Sequence, residues 1–260
     1  MDIWKSFPLE QDTCYQWQIG VLQIFILHSG DEWEVGFKRG EESPDEGSGA
    51  GIPTERPDDA EWRRWVTGIS GNTAVFSPRM PDKPVVVRPE KPLTIAAGAK
   101  AGFAVEIPLW VHISAGADTG IPLFEEPVSV LSNTWFGDPT SGELCYSLAN
   151  EAFRTQDTAA GEIHRAVCPL HIINKSNSEL DFERVCIQAP FLSIYRGSQG
   201  LVTSELQVSY KGDDQKSRIK IGSDAPSAAK DASLVSGPRE ILKDTLIRKS
   251  FSRIASYTGF

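Results

Sequence analysis

Apolar and polar residues alternate along most of this chain in short stretches, the period of a strand with one face in a core and the other in water. Glu32 to Lys38 sets Trp33, Val35 and Phe37 against Glu32, Glu34, Gly36 and Lys38, and Ser29-Gly30-Asp31 before it supplies a hairpin turn. Thr13 to Leu27 carries two apolar-rich runs and reads as two strands or as one strand kinked at Gly20. Glu61 to Val66 and Thr73 to Phe76 follow as strands, although Asp58 could equally cap one helical turn through Trp65. From Val85 the runs continue as Val85–Arg88, Leu93–Ala96, Phe103–Ser114, Val128–Phe136, Leu144–Phe153 and His164–Asn174. Phe182–Gln188, Phe191–Arg196, Leu201–Tyr210 and Ser217–Ile221 complete the set. About a dozen strands, punctuated by Gly, Pro, Asn and Asp and with no interleaved helices, predict an all-β fold of antiparallel β-sandwich or barrel-like sheets.

Composition suggests two β domains. Residues 1–84 read as a smaller N-terminal β domain, and 85–222 as a larger C-terminal β-sandwich domain beyond the Pro-rich stretch from Pro78 to Pro92. Within the first, Gly40 to Asp59 holds almost nothing apolar, so burial cannot offset its ordering entropy and a mobile loop is expected over 40–59. Residues 223–260 read as a linker, rich in Ala, Ser and Asp from Ser223 to Ser236, and a C-terminal segment. There Pro238 opens Arg239 to Ile254, where Ile241, Leu242, Leu246, Ile247, Phe251 and Ile254 make a partial helical stripe. A short C-terminal helix is expected, with strand pairing as the alternative.

Charge and cysteine usage narrow the partners. Against 26 Lys and Arg stand 35 Asp and Glu, a formal net charge of −9. That field repels phosphate backbones, so no nucleic-acid partner is expected. The longest apolar run, Val21 to Leu27 broken by Gln23, is far short of the ~20 residues a membrane-spanning helix needs, so no membrane span is expected. Met1-Asp2-Ile3-Trp4-Lys5 lacks the basic and apolar regions of a secretory signal. Cys14, Cys145, Cys168 and Cys186 are too few and too scattered for a disulfide framework, and read as reduced, buried thiols. Together these features predict a soluble, cytoplasmic protein.

Catalytic patterns are sparse. His164, Cys168 and His171, with Cys186 further on, have metal-ligand residue types, but in a strand 164 and 168 share a face that 171 does not, and the spacing matches no zinc pattern. No metal and no cofactor are expected. Gly47, Gly49 and Gly51 lack the preceding strand and following Lys-Ser/Thr of a phosphate cradle. There is no Gly-x-Ser-x-Gly elbow, and only His28, His112, His164 and His171 could serve as a base. Glu125-Glu126, or Asp138 with Glu143, could do glycosidic acid/base work only at a suitable separation in space.

Aromatics offer more. Trp62, Trp65, Trp110 and Trp135 could build a sugar- or peptide-binding platform or serve as core. In Trp62-Arg63-Arg64-Trp65 two arginines beside two indoles suit an acidic or aromatic partner surface. The candidate partner-binding residues are therefore Trp62, Arg63, Arg64, Trp65 and Trp135. In Trp135-Phe136-Gly137-Asp138-Pro139-Thr140-Ser141-Gly142-Glu143-Leu144-Cys145-Tyr146 two strands flank a turn in which Asp138 caps, Pro139 fixes φ and Gly142 permits positive φ.

That turn, Phe136-Gly137-Asp138-Pro139 with Gly142 and Cys145, is similar to one in the uncharacterised prokaryotic family DUF432. Arg88-Pro89-Glu90-Lys91-Pro92-Leu93 and Phe103-Ala104-Val105-Glu106-Ile107-Pro108-Leu109 precede it in the family's order. His171-Ile172-Ile173-Asn174-Lys175-Ser176 and Ala189-Pro190-Phe191-Leu192-Ser193-Ile194-Tyr195 follow. The resemblance spans roughly 15–250 and carries over no activity and no catalytic residue. Because some members are encoded near small mechanosensitive channels, it implies a channel-associated or regulatory partner.

The leading expectation is a non-enzymatic protein-protein interaction or regulatory module, with a protein partner or a homo-oligomer. The alternative is a carbohydrate- or small-ligand-binding β domain using Trp62, Trp65 or Trp135. A hydrolase using carboxylates or the His164/Cys168/His171 set ranks third.

Overall fold

The computed structural model describes residues 2–40, 50–68, 71–116, 120–148, 153–154, 162–212, 217–241, 246–248 and 250–252. Strand makes up 56% of it and helix 3%; among the described residues no helix reaches seven residues, and one sheet curls strongly into a half-barrel. The all-β expectation holds. In chain order the first strands are Ser6–Pro8 (β1), Cys14–Ile19 (β2), Leu22–Ser29 (β3), Glu32–Arg39 (β4), Ile52–Thr54 (β5), Glu61–Val66 (β6) and Thr73–Arg79 (β7). Next come Val85–Val87 (β8), Leu93–Ile95 (β9), Lys100–Pro108 (β10), Trp110–Ala115 (β11), Ile121–Pro127 (β12), Ser132–Phe136 (β13) and Glu143–Ser147 (β14). Phe153–Arg154 (β15), Arg165–Asn174 (β16), Leu180–Phe182 (β17), Arg184–Ile187 (β18), Ile194–Gly197 (β19) and Gly200–Thr203 (β20) follow. The last are Leu206–Tyr210 (β21), Ser217–Ile221 (β22), Ser233–Ser236 (β23), Leu246–Arg248 (β24) and Phe251–Ser252 (β25).

Two compact units result, Met1–Arg79 with Pro108–Val130, and Met80–Ile107 with Leu131–Phe260. The first is built from two antiparallel sheets, β5-β2-β3-β4-β6 and β1-β7-β11-β12. Strands β11 and β12 lie beyond the Pro-rich stretch in sequence, yet β11 pairs with β7 from Trp110↔Arg79 to Ala115↔Ala74. Side chains from both sheets meet in an aromatic cluster. Phe7 and Phe76 lie 5.2 Å apart edge to face, and Trp17 packs 4.9 Å from Phe76 and 5.4 Å from Phe7.

Local chemistry explains the hairpins. Gly30 at φ +60° sits in the two-residue connection between Ser29 and Glu32, which pair, as the turn signal predicted. Gly20 at φ +54° does the same between Ile19 and Leu22, so Thr13 to Leu27 is two antiparallel strands rather than one kinked strand. Glu61 to Val66 is strand throughout, and the alternative helical turn does not form.

Part of the 40–59 stretch expected as a mobile loop is strand. Residues 41–49 lie outside the described residues, but Ile52–Thr54 forms β5 on the edge of β2, pairing Cys14↔Thr54 to Gln16↔Ile52. Backbone pairing and the absence of a side chain at Gly51 make this possible, since a Cβ there would stand 2.5 Å from the Trp17 ring. Apolar content was the wrong guide, because β2 supplies hydrogen bonds rather than a greasy surface.

In the second unit, a nine-stranded sheet follows β23-β19-β20-β16-β21-β22-β24, with β10 attached to β16 and β15 to β10. A five-stranded sheet runs β13-β14-β8-β18-β25, and β9 and β17 form a two-stranded one. The sheets are not purely antiparallel: β16 pairs parallel with β20 and β21, and β14 with β8. Pro169 fits this arrangement. Residues 166–167 pair with β20 and 170–174 with β21, so the residue without an N–H sits where the parallel neighbour changes. Buried Asn174 ends β16 by donating from Nδ2 to the Ile95 (2.9 Å) and Ser178 (2.8 Å) carbonyls, and accepts from the Ser176 amide at 3.0 Å.

The expected C-terminal helix is replaced by strands. Leu246–Arg248 pairs with β22, and Val185↔Phe251 and Arg184↔Ser252 join β25 to β18; 242–245, 249 and 253–260 lie outside the described residues. A lone helix of about 16 residues is marginal in water, whereas two sheet edges offer ready hydrogen-bond partners. The 223–236 linker likewise ends in β23, which pairs with β19.

Trp17 is 2% exposed at the centre of the first unit's aromatic cluster. Trp17→Ala should cost about 3–5 kcal/mol in urea unfolding, as deletion of a large buried side chain leaves a cavity. A loss below about 1 kcal/mol would show that the cluster does not hold the two sheets together.

Candidate functional site

Period-two alternation gives the hairpin β13–β14 two chemically different faces. Trp135 and Leu144 are cross-strand partners, 47% and 46% exposed, on one face. Phe136 and Cys145, the next residues along, are buried on the other. The connection is fixed by Asp138, whose Oδ1 accepts from the Thr140 amide (2.9 Å) and hydroxyl (2.7 Å), while its carbonyl accepts from the Gly142 amide (2.7 Å) and Trp135 Nε1 (3.0 Å). The glycine roles differ from the sequence reading. Gly137 takes the left-handed φ of +104°, and Gly142 is required for space, since a Cβ there would lie 2.5 Å from Trp135 Nε1 and 2.6 Å from the Phe136 carbonyl.

On the inner face Glu143 and Cys145 share a side of β14, and Cys186 and Gln188 share a side of the β18 segment. Register links them: Cys186 pairs with Val86, and Val86 with Ser147, two residues beyond Cys145. Cys145 and Cys186 Sγ lie 4.0 Å apart, and Cys186 Sγ is 4.0 Å from Glu143 Oε1. Gln188, 1% exposed, donates from Nε2 to Glu143 Oε1 at 2.9 Å and approaches Cys186 Sγ at 3.6 Å. Val86 and Phe136 close the cluster on the apolar side. Sequence reading missed this group. Glu-x-Cys and Cys-x-Gln were legible as same-face pairs, but nothing in the chain announced that β8 would bring them together.

The other candidates are dispersed or engaged. On β6, Trp62 and Trp65 are an odd number of residues apart and face opposite sides. Trp62 donates to the Pro57 carbonyl (2.9 Å) and carries Arg56 over its ring at 4.1 Å. Arg63 bridges Glu61 (3.1 Å) and Glu126 (3.0 Å), and Arg64 pairs with Glu32. Glu125 and Glu126 diverge as well, Glu125 towards His112 Nδ1 at 3.2 Å and Glu126 towards Arg63 and Arg39. Trp110 is half-buried on β11.

The His164/Cys168/His171 set does not converge. Cys168 is fully buried on the inner face of β16, whereas half-exposed His171 pairs with Glu205 at 3.3 Å. His171 lies in a groove of about 290 Å³ with Lys100, Gly102 and Glu205, adjoining a second of about 500 Å³ at Glu205 and Gln207; no tryptophan lines either. No disulfide joins the four cysteines.

Fold and site together define an all-β protein whose notable chemistry is a hairpin with apolar residues outside and thiols with a carboxylate inside. The chain belongs to the DUF432 family, described as "Protein of unknown function (DUF432)", whose family model matches residues 3–255. No curated protein and no solved structure matches it. The turn at 136–142 and the Asn174 segment, both quoted in the resemblance, perform structural tasks here.

Burial pushes the Cys168 thiol from its ordinary 9.0 up to about 12, against a smaller downward pull from a hydrogen bond with Thr203. The folded thiol therefore keeps its proton where the unfolded one loses it. Its contribution to stability is complete below pH 9.0 and lost as pH rises towards about 12. Urea stability should fall more steeply above pH 9.0 in the natural protein than in Cys168→Ala; parallel profiles would contradict this.

Proposed function

We propose that the chain is a non-catalytic interaction module that docks an extended segment of a partner protein along the open edge of β13. The reading rests on one observation: Trp135 and Leu144 form an exposed apolar cross-strand pair beside that edge. Among the described residues β13 has a strand neighbour only on its β14 side. An added strand would gain main-chain hydrogen bonds there and rest an apolar side chain on the indole. Indole rings anchored by a hydrogen bond lose little entropy on binding, which suits Trp135 to a central contact. The chain's net charge of −9 favours a neutral or basic segment.

Weight shifts from Trp62, Arg63, Arg64 and Trp65 to Trp135, because both arginines already have carboxylate partners. A cytoplasmic setting and a regulatory partner, including the channel-associated one implied by the family resemblance, belong to this same proposal. Among the described residues no helix is long and apolar enough to cross a membrane.

A photo-crosslinking residue at Asn133, which shares a strand face with Trp135, should yield discrete protein adducts in expressing cells. Trp135→Ser and Leu144→Ser should each reduce them several-fold, while the same probe at exposed Arg218 on β22 gives none. Adducts indifferent to Trp135→Ser, or equal at position 218, would refute docking at this edge.

A further inference from the structure

The inner face of the same hairpin carries a second, independent reading. Glu143, Cys145 and Cys186 each offer one ligand atom, and all three atoms lie within 4.8 Å of one another. We propose that these three residues bind one thiophilic divalent cation of the zinc type, with Gln188 holding the Glu143 carboxylate in place.

Distances favour an ion over a disulfide. A zinc–sulfur bond of ~2.3 Å and a zinc–oxygen bond of ~2.0–2.2 Å place tetrahedral neighbours about 3.5–3.8 Å apart. The Cys145–Cys186 Sγ separation and that from Cys186 Sγ to Glu143 Oε1 are both 4.0 Å, and the third pair lies within 4.8 Å, so closure asks the side chains to draw together by up to about 1 Å. An ion ~2.3 Å from both sulfurs would subtend about 120° between them. A disulfide is a different matter. β8 lies between β14 and β18, so the two backbones are separated by two strand spacings, roughly 9–10 Å, beyond the ~4.4–6.8 Å Cα span of a disulfide.

The polar environment also exceeds what two buried hydrophobic thiols require. Apolar packing against Val86 and Phe136 accounts for Cys145 and Cys186 but not for a carboxylate and a buried amide aimed at the same point. An amide proton on Glu143 is the kind of outer contact that orients a ligating carboxylate. Glu143 is half-buried and gives the ion a route to solvent. Both thiols lose their protons to solvent on binding, so affinity rises with pH. Three protein ligands leave a fourth position for water. The ion would tie β14 to β18 across β8 and stiffen the hairpin.

The test uses the full chain, reduced and stripped of metal with a chelator, then titrated with Co²⁺. One equivalent should produce thiolate-to-cobalt charge-transfer absorption and the strong visible bands of a tetrahedral site, both erased by Zn²⁺. Cys145→Ser and Cys186→Ser should each remove the charge-transfer signal, and Cys14→Ser should leave it. Gln188→Met should weaken Zn²⁺ binding by about 10- to 100-fold, the usual effect of losing an outer contact. Absence of the charge-transfer band, or its survival in both cysteine variants, overturns the site. If the cysteine variants do not fold by circular dichroism, Glu143→Gln at a half-buried position decides: unchanged Zn²⁺ affinity in that folded variant refutes the proposal. None of these readings depends on Trp135, so docking and metal binding succeed or fail separately.

Discussion

Nearly every ordered feature of this protein follows from the need of extended backbone to pair each N–H and C=O with another strand. A helix meets that need within itself; a strand cannot. With 56% strand and almost no helix among the described residues, the chain satisfies much of its backbone through partners distant in sequence. Apparently minor choices then become architectural. Pro169 tolerates a central position because its missing N–H coincides with the change from β20 to β21. Asn174 takes over where the ladder ends, its side chain bonding the Ile95 and Ser178 carbonyls.

Strand pairing also decides where chemistry can occur. Adjacent residues on a strand point apart, so Trp135 and Leu144 turn outward while Phe136 and Cys145 turn in. The same rule separates Trp62 from Trp65 and Glu125 from Glu126, pairs that look concerted when written in a line. Glu125 meets His112 and Glu126 meets Arg63, so the two carboxylates are held by different partners rather than acting as a catalytic couple.

Both faces of β13–β14 depend on a single turn. Asp138 holds Thr140, Gly142 and the Trp135 indole at once, and Gly142 leaves room for the ring. Holding the outer indole and the inner Cys145 on one short hairpin means that whatever stiffens one face orders the other. That coupling is a physical reason to consider partner docking and ion binding in the same region while testing them apart.

The sequence by itself determined the all-β class, the hairpin at Gly30 and the turn at 136–142, because these rest on period-two patterning and local φ preferences that neighbouring residues dictate, whereas it left Gly20 open between a hairpin and a kink. It also determined that Cys168 and His171 face opposite ways, a consequence of strand parity alone. Only the tertiary structure decided that β5 would form in an apolar-poor stretch, that the C-terminal stripe would supply edge strands instead of a helix, and that some neighbours run parallel. It alone brought Glu143 and Cys145 to Cys186 and Gln188. These outcomes depend on which distant edge is unpaired and which strand lies between two others, and no local window of sequence carries that information.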